Sequence, residues 1–404
     1  MAPEFQYVAK NKSGDKIEGK IEADNSSKVV KELKDRGYFV TSLKKKRDKK
    51  DVMDFFKFNK RVTIADLAIF SQQFSVMINA GVSLVESLEI MSKQIDHPNL
   101  KKVIETVQED VETGSSLAEA MNEHPEVFPR LYRQLIKAGE AGGVLDKVLV
   151  KLANHYERQD ELMGKIKSSL YYPAAIMLVA VVVVIFLVIN VVPTFVSMFS
   201  SFDAQLPLPT RMLLGFSTIM QNYWWFILLA LIALFYIFYR YYKTTSGKNF
   251  FDRLLLKIPT LGKMFKKIYI SRFASTLAIL MDSGVDLLSS LAIVEDVVNN
   301  KVYANALVDA RARVREGENL SKTLADYDKL FDSMIIQMIR VGEESGSIGE
   351  MLFKISNFYD RDVENSIEGT VSLIEPALIV VMAVVVGFVA ISIVLPMFDM
   401  FSYI

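Results

Sequence analysis

Hydrophobic and polar positions alternate along this chain in long blocks. From Leu170 to Phe202 there is no charged residue, and Ala174 to Val192 is almost wholly Val, Ile, Leu, Phe, Met and Ala. About 20 such residues cross a bilayer core as a helix. Each Val, Ile, Leu or Phe near the centre favours insertion by roughly 0.3–0.6 kcal/mol, whereas a charge there opposes it by about 2.5–3.5 kcal/mol. The block therefore predicts a transmembrane helix over 170–192. A second apolar block, 223–242, has Trp224 and Trp225 at one end and Tyr239, Tyr241 and Tyr242 at the other, the aromatic belts of a second span. A third covers 371–396 and repeats the first: Pro173 and Pro193 recur at one offset as Pro376 and Pro396. That offset holds without a gap back to Phe70 and Phe273, so the chain is internally duplicated.

Between the apolar blocks the periodicity is helical. Leu67, Phe70, Phe74, Met77 and Ile78 form one stripe ending at Gly81, and Leu84, Leu88 and Met91 form the next. Further helices are expected over 99–112, 115–123, 129–140 and 144–169, punctuated by glycines. Residues 63–169 thus predict a bundle of six short helices, and 243–370 its copy, in which Gly284, Leu287 and Leu291 stand for Gly81, Leu84 and Leu88. The last helix of the first bundle has no stop signal and is expected to run on into the membrane. Pro173 suits the first turn of a helix, where its missing N–H is not needed. Residues 193–222 read as an outside loop and 397–404 as an outside tail.

Residues 1–43 read differently. Phe5-Gln6-Tyr7 begins an alternating strand, Asn11 to Gly14 is a turn, and Ile17, Gly19 and Ile21 alternate with Glu18, Lys20 and Glu22. A helix over 25–36 and a strand over 38–43 complete a small αβ segment. Gly14 to Lys20 has the Gly-x4-Gly-Lys spacing of a phosphate loop. Ile21 stands where Ser or Thr would hold magnesium, and no helix opens after it, so nucleotide binding is not expected. A basic linker, 44–62, follows, either a solvated tether or an attraction to anionic lipid or an acidic partner. The fold class is an all-α membrane protein: two homologous six-helix bundles, three transmembrane helices and a small N-terminal αβ segment.

Charge and composition narrow the function. Forty-seven basic and 47 acidic residues balance, which gives no electrostatic reason to expect nucleic acid. There is no cysteine, so neither disulfides nor thiolate metal sites arise. The N-terminus lacks the apolar stretch of a cleavable signal, so the first span is expected to anchor the chain internally. Nine Lys and Arg lie between Arg240 and Arg272, just after the second span, against Arg211 alone in the 193–222 loop. The positive-inside rule then places both bundles and the N-terminus in the cytoplasm and the C-terminus outside.

One motif is duplicated. Gly139, Glu140 and Gly143 recur as Gly342, Glu343 and Gly346. Glycines at this spacing allow a tight turn between helices. A carboxylate beside the turn can accept amide N–H groups of the next helix. Alternatively these glutamates present the turn to a partner or help to bind a divalent ion, which would need six or more oxygen ligands. Glu375, at the mouth of the third span beside Pro376, is either a partnered charge or an interfacial residue. Asn190 either bonds a neighbouring helix or sits near the outer interface. The histidines are His97, His124 and His155; the first two precede prolines or loops, and the third aligns with Phe358, which suggests packing. No catalytic constellation and no cofactor site is found. A membrane enzyme is therefore disfavoured. An oligomeric transporter would ordinarily show more spans and polar groups at mid-membrane.

At the mouth of the first span Lys165, Leu170, Tyr172, Pro173, Ile176, Ala180, Leu187 and Val191 to Pro193 form a basic residue, spacer, aromatic–proline pair and apolar run closing on proline. With the doubled Gly-Glu-x-x-Gly turn and the opening FQYVAKNKSGDKIEGKIEAD, this resembles the type II secretion F family, the inner-membrane platform proteins of type II secretion and type IV pilus machines. The second copy has Glu375 in place of Tyr172, so only the first matches the signature fully. The resemblance implies a membrane hub without enzymatic activity. It implies a homo-oligomer that couples a cytoplasmic hexameric ATPase to pilin or pseudopilin subunits, among lipid and other inner-membrane alignment proteins. It also implies that Glu140 and Glu343, or faces near them, meet the motor or a second protomer.

Overall fold

The computed structural model describes residues 4–10, 16–22, 39–45, 61–194 and 207–401. Three strands, β1 (Glu4–Lys10), β2 (Lys16–Glu22) and β3 (Phe39–Lys45), form an antiparallel sheet in the order β2-β1-β3. Tyr7 faces Gly19 on one side and Leu43 on the other. The Lys20 end of the phosphate-loop look-alike lies inside β2, as its alternation implies. The helix expected over 25–36 and most of the basic linker lie outside the described residues.

The first bundle is α1 (Ile64–Asn79), α2 (Leu84–Gln94), α3 (Pro98–Glu112), α4 (Leu117–Asn122), α5 (Arg130–Gly142) and α6 (Leu145–Phe186). Their starts follow from local chemistry. Thr63 and Asp66 close a capping box on α1, Ser83 caps α2, and the His97 ring accepts the Leu100 N–H ahead of Pro98 at the start of α3. The apolar stripes converge on Phe70, Phe74, Phe128 and Tyr132, all fully buried.

Two helices link the bodies. The first, α7 (Leu208–Tyr242), is the second span, and α8 (Thr245–Lys257) follows it. The second bundle is α9 (Leu261–Asp282), α10 (Leu287–Val297), α11 (Lys301–Arg315), α12 (Leu320–Ala325), α13 (Ser333–Ser345) and α14 (Ile348–Phe401). Phe273 and Phe331 pack at 5.3 Å between centroids where Phe70 and Phe128 pack at 6.0 Å. The helix α8 is an addition to the expected six: its Asp252 accepts the Lys301 N–H at the start of α11.

Three helices are long and apolar enough to cross a membrane: Leu145–Thr194, Leu208–Tyr242 and Ile348–Leu395. The first and third are continuous with the last helix of each bundle, as the missing stop signal suggested. Four expectations need correction. Pro173 and Pro376 do not open helices; both lie inside α6 and α14. Without a stop signal the upstream turns simply continue through them, and a neighbour-packed membrane helix tolerates the lost bond. Pro193 sits within a helical turn, and α14 continues through Pro396 to Phe401, so most of the expected 397–404 tail is helical. The expected 193–222 loop is helical from Leu208, because Pro207 and Pro209 start a helix rather than break one. That first part of α7 is bent from the span at Tyr223 (φ −123°, ψ 19°).

The early turns of α7 wedge between the other two membrane helices. Thr210 donates to the Ser392 carbonyl at 2.6 Å and Ser217 to the Val188 carbonyl at 2.7 Å. Gln221 donates to the Ile189 carbonyl at 3.1 Å. Val188 and Ile189 belong to a π-helical turn, Leu187–Val191, so carbonyls freed from the regular ladder are taken up by the neighbour. The Asn190 amide donates to the Phe186 carbonyl of its own helix at 3.2 Å.

Candidate functional site

Chemistry-bearing side chains gather in three places: the two Gly-Glu turns, the junction of the bundles, and the mouths of the spans.

Each Gly-Glu turn joins the last two helices of a bundle. Gly143 and Gly346 take left-handed φ of 65° and 67° and end α5 and α13. Gly342 is needed for a different reason: a Cβ there would lie 2.9 Å from Ile348 Cα. The glutamates do accept amide N–H groups, but not those of the next helix. Glu140 reaches back to the start of α4, accepting Leu117 N–H at 2.7 Å and Ala118 N–H at 2.8 Å. Glu343 does the same for α12, accepting from Leu320 N–H, from Ser321 N–H at 3.1 Å and from the Ser321 hydroxyl. The short helix ends, not the long ones, present free amides to the turn. Among the described residues no group of three or more acidic or histidine side chains converges as metal ligands would.

Where the bundles meet, charges pair across the repeat boundary. Arg130 binds Asp296 at 2.8 Å, Lys151 binds Asp282 at 2.6 Å, and Lys165 binds Glu364 at 2.6 Å. Arg158 lies 2.5 Å from Asp360, whose side chain is only 4 % exposed and also accepts from Ser271. Burial pushes the Asp360 carboxyl above the usual range, against the pull of Ser271 and Arg158. A cavity of about 50 Å³ sits here, lined by His155, Arg158, Gln159, Ser271, Arg272 and Asp360.

His155 is buried edge-on to Tyr156 and hydrogen-bonded to Gln159 at 2.7 Å, so the packing role suggested by its alignment with Phe358 fits. It lies well before the apolar stretch of α6. Burial, with the neighbouring Arg272 charge, pushes its pKa down to about 4. An unfolded histidine titrates near 6.5, so this contribution to stability is whole above about pH 6.5 and lost as the pH falls toward about 4. The loss is on the order of 3 kcal/mol. His155→Phe is expected to remove it. Thermal unfolding of purified protein at pH 7.5 and 4.5 should show a smaller acid shift in the variant than in the parent.

At the membrane, Tyr172, Pro173 and Glu375 line one crevice, whereas Lys165 lies about two turns earlier on α6, paired with Glu364. The Tyr172 hydroxyl donates toward Glu375 at 3.5 Å, and these two residues hold equivalent positions in the repeats. Glu375 is exposed and partnered. An apolar crevice of about 530 Å³ opens beside them between α6 and α14. Pro193 lies at the far end of α6.

Spacing alone missed the Arg272–His155 contact and buried Asp360. For His155 and Arg272 a signal was present, because the two repeats differ in polarity there: His155 against Phe358, Arg272 against Ile69; for Asp360 there was none, since its counterpart Glu157 is also acidic.

Doubled helical bodies, each continuous with a membrane helix, define a multi-pass membrane protein. The profile described as type II secretion system (T2SS), protein F, matches residues 70–193 and again 273–396, and that of its N-terminal domain matches 1–44. The chain belongs to this family. It is 37 % identical to the type IV pilus assembly protein PilC of Myxococcus xanthus, covering 98 % of this chain and 95 % of that one. PilC of Thermus thermophilus is 34 % identical, with 98 % of both chains covered. The type II secretion system protein F of Vibrio cholerae is 30 % identical over 98 % of each.

Proposed function

We propose that this protein is the inner-membrane platform of a type IV pilus or type II secretion machine. It couples a cytoplasmic hexameric ATPase to the addition or removal of pilin or pseudopilin subunits, beside other inner-membrane alignment proteins, and performs no chemistry of its own. Both bundles face the cytoplasm, as the basic residues after the second span favour. Relatives named for pilus assembly and for secretion support the reading.

The observation that carries it is the continuity of α6 and α14. Each runs unbroken from a bundle core into a membrane helix, so force applied to a bundle passes directly into the bilayer. The Gly139–Gly143 and Gly342–Gly346 turns then serve as partner faces. Their glutamates hold the backbone, and the exposed Lys137, Arg340 and Glu344 around them offer the contact to the motor.

Inserting four glycines after Gly164 tests the coupling. Pilus or pseudopilus assembly is expected to be lost while membrane levels and ATPase pull-down persist. Assembly at the parental level would overturn the reading, as would nucleotide hydrolysis or solute flux by the purified protein alone in vesicles.

A further inference from the structure

Duplication makes the surfaces of the two bundles directly comparable. The outer face of α6 in the first bundle, carrying Lys151, His155 and Arg158, is covered by α9 and α14 of the second. Lys151 donates to the Asp282 carbonyl at 3.0 Å, and Arg158 donates to Asn357 at 2.9 Å besides pairing with Asp360. The same face of the second bundle, carrying Lys354, Phe358 and Arg361 on α14, has none of the other described helices over it. Phe358 is 51 % exposed, and it lines an open groove of about 450 Å³ together with Arg361. The first bundle's copy of the covering surface is bare as well. Asp360, Asn357 and Arg272 correspond to Glu157, Asn154 and Ile69, all exposed, with Ile69 at 59 %.

We propose that the free α14 face of one copy docks on the free face of α1 and α6 in a second copy, repeating between chains the contact that the bundles make within one. The occupant is set by complementarity. Arg361 meets Glu157 and Asn154 as Arg158 meets Asp360 and Asn357. Phe358 meets Ile69 where His155 meets Arg272. At that place both partners are polar within the chain and both are apolar on the free faces, a paired change that suits two surfaces meeting each other. Exposed apolar side chains beside a groove mark such sites.

The contact within the chain joins two unlike surfaces. Each chain therefore ends with one free surface of each kind, and identical copies join head to tail through them. The pair Lys165–Glu364 has no counterpart, because the equivalent positions are Glu161 and Glu368, both acidic. Arg130–Asp296 likewise becomes Ser333 and Lys93. Docking is thus confined to the part of the bundles away from the spans and is weaker than the contact within the chain.

The cysteine-free sequence allows a direct test in native membranes, independent of any motor role. Full-length chains carrying Ile69→Cys and Phe358→Cys are co-expressed and oxidised. A cross-linked dimer is expected from the mixture and from the double variant, and none from either variant alone. Arg361→Glu is expected to lower the yield about ten-fold, and Glu157→Arg on the other chain to restore it. The proposal is overturned if Phe358→Cys links to itself or to a different protein. It is equally overturned if no dimer forms while the Lys151→Cys, Asp282→Cys pair closes within the chain.

Discussion

Glu343→Ala is expected to destabilise the second bundle by about 2–3 kcal/mol, and Glu140→Ala the first by clearly less. Both carboxylates hold the first amides of a six-residue helix, but the helices differ in what else holds them. Ser116 caps α4 through its own capping box with Glu119. Asn319, at the matching position before α12, makes no side-chain cap bond. Glu343 is therefore the side-chain acceptor on which α12 depends, and its loss leaves two part-buried amides without it. Thermal unfolding of the detergent-purified variants at pH 7.5 checks the order. Equal losses at the two sites would show that the capping box does not back up Glu140.

Gly342→Ala is the second large effect, at about 1–3 kcal/mol. The new methyl would meet Ile348 Cα at 2.9 Å and Ile348 N at 3.3 Å, and backbone at that distance moves only if α13 and α14 separate. At Gly139 the new methyl would meet Val148 Cγ2 at 3.0 Å and Cβ at 3.1 Å, with backbone no nearer than Leu145 Cα at 3.2 Å, so Gly139→Ala should lose less. Gly346→Ala tests another term, since open space surrounds it and only its positive φ resists, about 1 kcal/mol. Limited proteolysis in intact membranes, read for the bundle that carries each substitution, should rank the variants Gly342, then Gly139 and Gly346. The same ranking should appear in their melting temperatures.

Much of this architecture could be read from the residues. The apolar blocks, the single repeat offset and the missing stop before Leu170 were enough for two bundles continuous with their spans. The prolines misled, because their local meaning depends on what precedes them. Pro207 and Pro209 sit at the cap and first turn of α7, whereas at Pro173 and Pro376 a helix is already under way. The Gly-Glu turns were legible as turns. The glutamates were legible as acceptors of amide N–H groups, but not which ones, since the amides they hold lie some twenty residues back and only the folded bundle brings them near. The additional helix α8 lies ahead of the repeated stretch that begins at Phe273, so the repeat gave no reason to expect it. The buried Asp360 is invisible to periodicity, which cannot tell a charge facing water from one facing an arginine of the sister bundle.

Pro173 and Pro376 have one more consequence. Each removes a ladder bond to the residue four before it, Ser169 or Ser372, and they do so at matched depth in two helices that touch through Tyr172 and Glu375. Both rods are thus most compliant in bending just where they meet the headgroups, and stiff above and below. A sideways load on either body would tilt the buried segment about that level, as a lever turns on its fulcrum.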